Sequence, residues 1–487
     1  MSSAFFGLDV ALRALQAQQT GIDVTGHNVA NANTEGYSRQ NVRIVATDPY
    51  TEPAMNRSTT AGQLGTGSIA KDIQRARDAF LDTQFRTEDG SLQNALARQD
   101  ALEQVETVLD EPAGVGINGL LNKFYSNLNL LAGDPSDLPI RTNVVEQAVS
   151  VTQAFNRISG QLTSIQQGIN NEVVSNINEV NQITKQIVQL SKTIVQVEVN
   201  GQNANDLRDQ RDAAIDRLSQ LVQTNVTEIP KGSANAGSVT ITIGSQVLVD
   251  GTTNTQVDLG TTTSVTNPPF LDVTFGTVPA SPLATLGNAA IAGKIKVRDV
   301  DIGGAGTGYL AQLDTIASNL ITAVNTLHAT GFDLSGNPGG AFFTGTNAAT
   351  ISLSSAIQAN PSLIAASSAA GSVGNNDVIL QIAALRDSMA SVIPPLAANT
   401  PTSLSSYSSL ITDLGTNNQS ARSDSDIQQS LVTLLTQRRQ SLSGVSLDEE
   451  ATNMVRYQRA YEAAARVLTA NDEMLDKLIN STGIVGR

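Results

Sequence analysis

Gly114-Val-Gly-Ile-Asn-Gly119 has the G-x-G-x-x-G spacing with which a loop following a strand can turn backbone N–H groups toward a pyrophosphate. Leu109-Asp-Glu-Pro-Ala113 precedes it, which is turn chemistry and not an apolar strand, so the context that the motif requires is missing. The two imidazoles, His27 and His328, lie outside any H-E-x-x-H pattern, and zinc-protease chemistry is excluded. His27 is expected to cap or pack beside the first helix. No G-x-S-x-G elbow presents a nucleophilic serine. Asp333-Leu-Ser-Gly-Asn337 shares the opening of a calcium loop but lacks the glutamate that closes one, so a tight turn is expected there. Asp448 and Glu449 read as favourable charges in a first helical turn. Cysteine is absent, which removes disulfides, thiolate catalysis and cysteine-based zinc sites together. No catalytic, cofactor-binding or metal constellation emerges, and the chain is not expected to be an enzyme.

The densest group of hydrogen-bonding side chains is uncharged. In NVANANTEGYSRQ, residues 28–40, the side chains of Asn28, Asn31, Asn33 and Gln40 each offer donor and acceptor groups. Ala30, Ala32 and Gly36 let another backbone approach, and Gly36 can take a positive φ to end a turn. Such a surface suits a contact that fixes register between subunits. A plain helix-ending loop is the other reading.

Long helices must position this stretch. Phe5, Leu8, Leu12, Leu15, Gln19, Ile22, Gly26 and Val29 step by 3 and 4, the seam that partner helices share. At the other end Leu447, Met454, Tyr457, Tyr461, Ala464, Leu468, Leu475 and Leu478 keep the same rhythm, opened by the capping box Ser446-Leu-Asp-Glu449. A third stripe runs from Val144 through Ala148, Val151, Phe155, Ile158, Leu162, Ile165 and Ile169. It changes phase near Val173 and Ile177, then resumes through Val180, Ile183, Ile187, Leu190, Ile194 and Val197. Continuous, it would extend about 80 Å, more than a compact globule holds. DLRDQRDAAIDRLSQLV, after Asn200-Gly201, is a further helix whose charges pair poorly within it: Arg208 and Asp212 are its only opposite pair at i,i+4. Those charges either face partners on another helix or form a solvated face.

The two end stripes can bury their apolar sides on each other, on the middle helices or on neighbouring molecules. A narrow seam with Gly, Ala and Asn at some positions makes a weak isolated pair, so full ordering is expected on assembly.

Between helices the period falls to 2. Val239, Ile241 and Ile243 alternate with threonine before Gly244-Ser245, which suits a two-residue hairpin turn, and Leu271, Val273 and Phe275 repeat the alternation. Helical patterning returns at 309–329, in NNDVILQIAALRDSM and in DIQQSLVTLLTQRRQSL. The expected fold is a mainly α multidomain rod, with long coiled-coil-like helices from both termini and the middle and a small inserted β-rich domain. Its expected divisions are 1–60 (terminal helix and motif), 61–228 (helical rod, with the long helix over 141–198), 229–300 (β-rich insert) and 301–340 (helical return). A mixed outer segment over 341–376, the second part of the rod over 377–440 and the C-terminal helix over 441–487 complete them.

With 487 residues the chain exceeds one core, and a net charge of −15 argues against nucleic acid. No run is apolar for long enough to span a bilayer. The first residues lack the basic region and apolar run of a signal peptide, so the chain is expected either to stay inside the cell or to leave by a route that reads no classical signal.

FFGLDVALRALQAQQTGIDVTGHNVANANTEGYSRQ, residues 5–40, strongly resembles the N-terminal signature of the bacterial flagellar axial proteins, the rod, hook and hook-associated group. SLDEEATNMVRYQRAYEAAARVLTANDEMLDKLIN, residues 446–480, resembles the C-terminal signature of the same group. Tyr37-Ser-Arg-Gln40, DLRDQRDAAIDRLSQLV and YLAQLDTIASNLITAVNTLHATGFDLSGNPG resemble the members that join hook to filament.

This resemblance implies a structural role, type III export without a cleavable signal peptide, and an extracellular place in the flagellum. Implied partners are copies of the chain in a ring, the flagellar hook protein and a second junction protein (hook-associated protein 3). A dedicated cytosolic export chaperone is implied on the C-terminal helix, from about Leu447 to Leu478. No nucleic acid, membrane or cofactor is implied. The expected assembly interface comprises Leu8, Leu12, Leu15, Ile22, Asn28, Asn31, Asn33, Thr34, Gly36, Tyr37, Arg39 and Gln40 from the first segment. Met454, Tyr457, Tyr461, Leu468, Leu475 and Leu478 are expected from the last. Alternatives are a hook or rod protein of the same group, and a carbohydrate-binding or enzymatic module in the insert.

Overall fold

The computed structural model describes residues 5–49, 65–109, 116–264, 269–276, 286–388 and 400–481. Gly114 and Val115 of the glycine-rich stretch lie outside them. Gly116 stands at the mouth of a helix, and the element before residue 110 is helical, so no strand leads into that motif among the described residues.

In chain order the elements begin with α1 (Phe6–Ala30), β1 (Gln40–Ala46), β2 (Ser68–Arg75), α2 (Ala79–Leu109), α3 (Ile117–Gly133), α4 (Leu138–Glu198) and α5 (Asn205–Leu221). Strands β3 (Asn225–Glu228), β4 (Val239–Ile243), β5 (Gln246–Asp250), β6 (Thr255–Gln256), β7 (Leu259–Thr263) and β8 (Leu271–Phe275) follow. The remainder is α6 (Ala290–Lys296), α7 (Tyr309–His328), β9 (Phe343–Thr344), β10 (Ser352–Leu353), α8 (Ser355–Ala359), α9 (Asp377–Ala384), α10 (Ser403–Ser443) and α11 (Leu447–Asp476). The chain is mainly helical, with long helices at both ends and in the middle and small sheets between them.

The middle stripe is one helix. α4 runs for 61 residues, about 90 Å, and buries Val144, Ala148, Val151, Phe155, Ile158, Leu162 and Ile169. Past the phase change it buries Val173, Ile177, Val180, Ile183, Ile187 and Ile194. The change of phase moves the apolar stripe around the cylinder without breaking it.

Two compact units divide the chain. Unit one comprises Met1–Asp89, Val180–Asp258 and Ser430–Arg487; unit two comprises Gly90–Glu179 and Leu259–Gln429. The β material is shared out between them. Unit one has the antiparallel pair β1–β2 and the sheet β3-β4-β5-β6, in which Gly244, at φ +57°, makes the turn from β4 to β5. Unit two has the hairpin β7–β8 and the short pair β9–β10. Residues 290–302, read with the insert on sequence grounds, are helical.

Unit two carries the larger apolar core. Ile117, Leu121, Phe124 and Leu128 of α3, the first half of α4, Leu313, Ile316 and Leu320 of α7, and Leu410 and Leu414 of α10 all enter it. Each such side chain removed from water contributes about 1.5–3 kcal/mol. Phe124, Phe342 and Phe343 form an aromatic cluster, with the last two ring centroids 4.8 Å apart and edge to face. The Asp333 carboxylate accepts N–H groups from Ser335 and Asn337, both at 2.8 Å, and makes the tight turn that its sequence implied.

His328 is buried in the same unit. The Ala365 N–H donates to its Nε2 at 2.8 Å, so Nδ1 carries the proton toward the Gly340 carbonyl, 2.7 Å away. Burial, with the Arg141 cation nearby, holds the imidazole pKa below its ordinary value against the pull of the Gly340 carbonyl. The unfolded chain therefore binds a proton near its ordinary pKa of about 6.5 that the folded chain refuses. Stability should fall as pH drops below that value, with a limiting slope of about 1.4 kcal/mol per pH unit. Denaturant midpoints between pH 7 and 5 should show this slope, and His328→Gln should reduce it.

A candidate assembly site where the chain ends meet

Of the three arrangements open to the end stripes, the single chain adopts direct pairing. α1 and α11 run antiparallel: Gly7 faces Asn471, Gly21 faces the Tyr457 ring and Asn28 bonds Glu450. Ser446 caps α11 by accepting the Glu449 N–H, as the capping box required. Glu450 is the only buried residue of α11, so this helix rests on the first with little apolar area sealed. α1 buries Ala11, Ala17, Gly21, Val24, Thr25 and Asn28, mostly small residues. Helix pairing alone is therefore weak, and the pair needs an anchor.

Asn28 supplies it. At 1% exposure its amide makes all four of its hydrogen bonds. Nδ2 donates to the Gln40 carbonyl at 2.9 Å and to Glu450 Oε2 at 3.0 Å. Oδ1 accepts from the Tyr37 hydroxyl at 2.8 Å and from the Gln40 N–H at 2.9 Å. One side chain thus joins the end of α1, the loop after it, the start of β1 and the start of α11.

Arg39 doubles the tie. Its Nε donates to Glu450 Oε1 at 2.8 Å, its Nη1 to Glu449 at 2.7 Å, and its backbone N–H to the Ser443 carbonyl at 2.8 Å. The buried Glu450 carboxylate consequently has a charged donor on Oε1 and a neutral one on Oε2, the condition under which a buried charge is tolerated.

The loop is also bound to α5. Gln40 donates to Asp206 at 2.7 Å and accepts from Asn205 at 3.1 Å, while the Ser38 N–H and hydroxyl both donate to Asp209. The unpaired charges of α5 find partners on other elements. Arg75 of β2 reaches Asp209 at 2.7 Å and Asp212 at 2.8 Å, Arg77 reaches Asp212 at 3.3 Å, and Asp216 takes Arg86 at 2.6 Å and Arg439 at 2.7 Å. Arg208 turns away to Glu198 and Glu228. Burial would raise the Asp212 carboxyl, but Arg77, Arg75, Arg211 and Arg86 overcome it and hold the pKa at about 2. Burial and the acids Asp206, Asp209 and Glu450 push the Tyr37 hydroxyl above its usual range, so it remains a donor. His27, in the last turn of α1, packs edge to face on Tyr37 with its Nε2 3.3 Å from Asp206.

The expected interface residues divide sharply. Asn28 and Gln40 are buried inside the chain, and Tyr37, Arg39, Gly36 and Asn31 are half-buried beside them. Gly36 has φ +78° and faces Ala213 of α5. Asn31 is used locally, donating to the His27 carbonyl and accepting from Thr34. Asn33 and Thr34 face outward. Leu8, Leu15, Ile22, Met454, Tyr457, Leu468 and Leu475 are half-buried along the helix pair, whereas Leu12, Tyr461 and Leu478 are exposed. Sequence reasoning missed Glu450, Asp206, Asp209, Arg75 and Arg77; the like charges repeated along α5 were the available signal. Among the described residues no group of His, Asp and Glu could hold a metal ion, and no helix is long and apolar enough to cross a membrane.

Residues 102–343 match the family described as the flagellar hook-associated protein FlgK helical domain. Residues 8–37 match the flagella basal body rod protein family, and 436–481 the C-terminal region of the flagellar basal body rod FlgEFG proteins. Rod-type likeness is thus found at the two ends. The chain is 33% identical to flagellar hook-associated protein 1 of Bacillus subtilis over the whole of both chains. It is 25% identical to the protein of that name from Escherichia coli, over 96% of this chain and 98% of the relative. The flagellar hook junction protein FlgK from Burkholderia pseudomallei shares the fold, with a TM-score of 0.64 at 16% identity over 74% of this chain and all of that one. With likeness to one kind of protein from end to end and a hook-associated domain between rod-type ends, the chain belongs to the flagellar hook-associated protein 1 family, structural components of the flagellum at the hook–filament junction.

Proposed function

We propose that the joined chain ends are the assembly element of a junction protein whose role is structural and not catalytic. In this reading α1, α11 and the loop between α1 and β1 form an axial module, corresponding to the sequence divisions 1–60 and 441–487. The asparagine node holds that module in one geometry, and its exposed side chains meet other subunits. Leu12, Asn33, Thr34, Tyr461 and Leu478 supply the direct contacts, while Asn28, Arg39 and Gln40 position them. The partners are copies of this chain in a ring, the flagellar hook protein on one side and the second junction protein (hook-associated protein 3) on the other. Before assembly, a cytosolic export chaperone covers the C-terminal helix, and the chain leaves by type III export to its extracellular place.

One observation carries this reading. α11 exposes Val455, Val467 and Met474 along its length and the turn that follows it exposes Ile479, with Met474 57% and Ile479 71% exposed. An apolar surface of this kind on a helix with one partner marks an interaction site. Ending the chain after Met454 retains Glu450 and removes the exposed helix. The truncated protein should melt cooperatively as a soluble monomer and form no rings, and cells that carry it should bear hooks without filaments and fail to swim. Filaments of normal length on such cells would refute the proposal.

A further inference from the structure

The chain contains two Asn-Gly pairs, Asn118-Gly119 and Asn200-Gly201. In such a pair the second residue has no side chain to shield its backbone nitrogen, so that nitrogen can reach the asparagine carboxamide. Their local sequences are alike, since Ile117 and Val199, both β-branched, precede them. Any difference in their chemistry must therefore come from the fold.

Asn118 and Gly119 lie in the first turn of α3. A helical backbone tilts the asparagine side chain toward the N-terminus, away from the next nitrogen. This one is also tied down: Nδ2 donates to the Ser408 hydroxyl at 3.3 Å, and Oδ1 is sealed from water. Asn200-Gly201 instead forms the turn between α4 and α5. α4 ends at Glu198, and Gly201 takes φ +80°, which glycine adopts without strain. Val199, Asn200, Gly201 and Gln202 are all exposed. Among the described residues no hydrogen bond holds the Asn200 side chain, and nothing lies within 4 Å of a Cβ built on Gly201. The turn is pinned on both sides by other groups. The Glu198 carboxylate accepts from Arg208 at 2.7 and 2.9 Å and from the Ala204 N–H at 3.1 Å, while Asn203 donates to the Ile73 carbonyl at 2.9 Å. Only the Gly201 N–H bond to the Glu198 carbonyl, 2.9 Å long, must open for reaction, and a fraying helix end opens at little cost.

We propose that Asn200 is a site of spontaneous covalent modification, converting to aspartate and isoaspartate as the protein ages, while the fold protects Asn118. The Gly201 nitrogen gives its proton to solvent base and adds to Asn200 Cγ. A C–N bond forms, a succinimide ring closes, and the side-chain nitrogen leaves as ammonia. Water then opens the ring. Cleavage at Cγ yields aspartate; cleavage at the main-chain carbonyl yields isoaspartate, whose backbone runs through Cγ and is longer by a methylene. Water is consumed, ammonia is released, and nothing is oxidised or reduced. The turn gains a negative charge while α4 and α5 stay folded around it.

Ageing the folded full chain in mildly alkaline buffer, followed by acidic digestion and peptide mass spectrometry, tests this. The Asn200 peptide should exchange NH2 for OH at least about tenfold faster than the Asn118 peptide, whose reaction waits on local opening. Electron-transfer fragmentation should identify isoaspartate in the product. In urea, where protection is lost, the two rates should agree within about threefold. Asn200→Gln should stay unmodified at position 200 over the same period, because glutamine must close a larger ring. Equal rates for the two asparagines in the folded chain, slowing of Asn200 by tenfold or more on folding, or a product without isoaspartate would each overturn the assignment.

Discussion

Asn28→Ala should loosen both chain ends at once and cost unit one about 3–5 kcal/mol. The substitution removes four hydrogen bonds that no other side chain can replace. It leaves the Glu450 carboxylate, 1% exposed, with Arg39 alone, and strips partners from the Tyr37 hydroxyl and from both backbone groups of Gln40. Each orphaned buried group costs about 1–3 kcal/mol, more where charge is involved. Asn28→Asp has nearly the same shape and should be at least as damaging, because it deletes both donations and sets a second carboxylate against Glu450. Asn33→Ala, in the same motif but exposed, should change stability by no more than about 0.5 kcal/mol. Denaturant unfolding supplies the magnitudes. Hydrogen exchange over residues 447–476 supplies the location, since protection of α11 should drop in the Asn28 variants and hold in Asn33→Ala. Equal effects of the two alanine substitutions would mean that the node anchors nothing.

This contrast marks where sequence stops being informative. The repeating patterns were readable because their cause is local. The 3 and 4 steps of α4, the alternation of β4 and β8, the Gly244 turn and the Ser446 cap each depend on residues a few positions apart. α10 was read only over its second part because residues 403–425 are rich in Ser, Thr, Asn and Asp and carry no strong apolar stripe; packing of Tyr407, Leu410, Leu414 and Ala421 makes them helical. The β1–β2 pair went unnoticed for the same reason, since Arg43 and Asp72 pair across strands whose alternation is weak.

The site was half legible. NVANANTEGYSRQ announced hydrogen bonding but not its direction, because an asparagine amide looks alike whether it faces a neighbour or its own chain. The deciding partner, Glu450, stands 422 residues away, and only the antiparallel pairing of the ends brings it there. On α5 the reasoning went further. Asp209 and Asp212 at i,i+3, and Arg208 and Arg211 likewise, could not satisfy one another, which left partners on another helix or a solvated face; the structure supplies partners, but Arg75 among them stands on a strand.

Glycines in α1 show how the pairing geometry reverses a local preference. Helix propensity alone makes any Gly→Ala change in this helix favourable by up to about 1 kcal/mol. At Gly26 nothing lies within 4 Å of an added Cβ, so Gly26→Ala should stabilise by about that amount. At Gly21 the added Cβ would sit 2.8 Å from two carbons of the Tyr457 ring, closer than carbon atoms approach. The ring is half-buried beside α1, so Gly21→Val should force the helices apart and destabilise the pair by about 2–3 kcal/mol. Trimming the ring should relieve the clash: Gly21→Val with Tyr457→Ala should be more stable than the sum of the single effects by over about 1 kcal/mol, the coupling expected of residues in direct contact. Thermal melting followed by circular dichroism measures all four corners of this cycle. Additive effects at Gly21 and Tyr457, or a stabilising Gly21→Val, would show that the two helices do not meet at this glycine. The axial module would then need another basis for its register than a ring seated on a residue with no side chain.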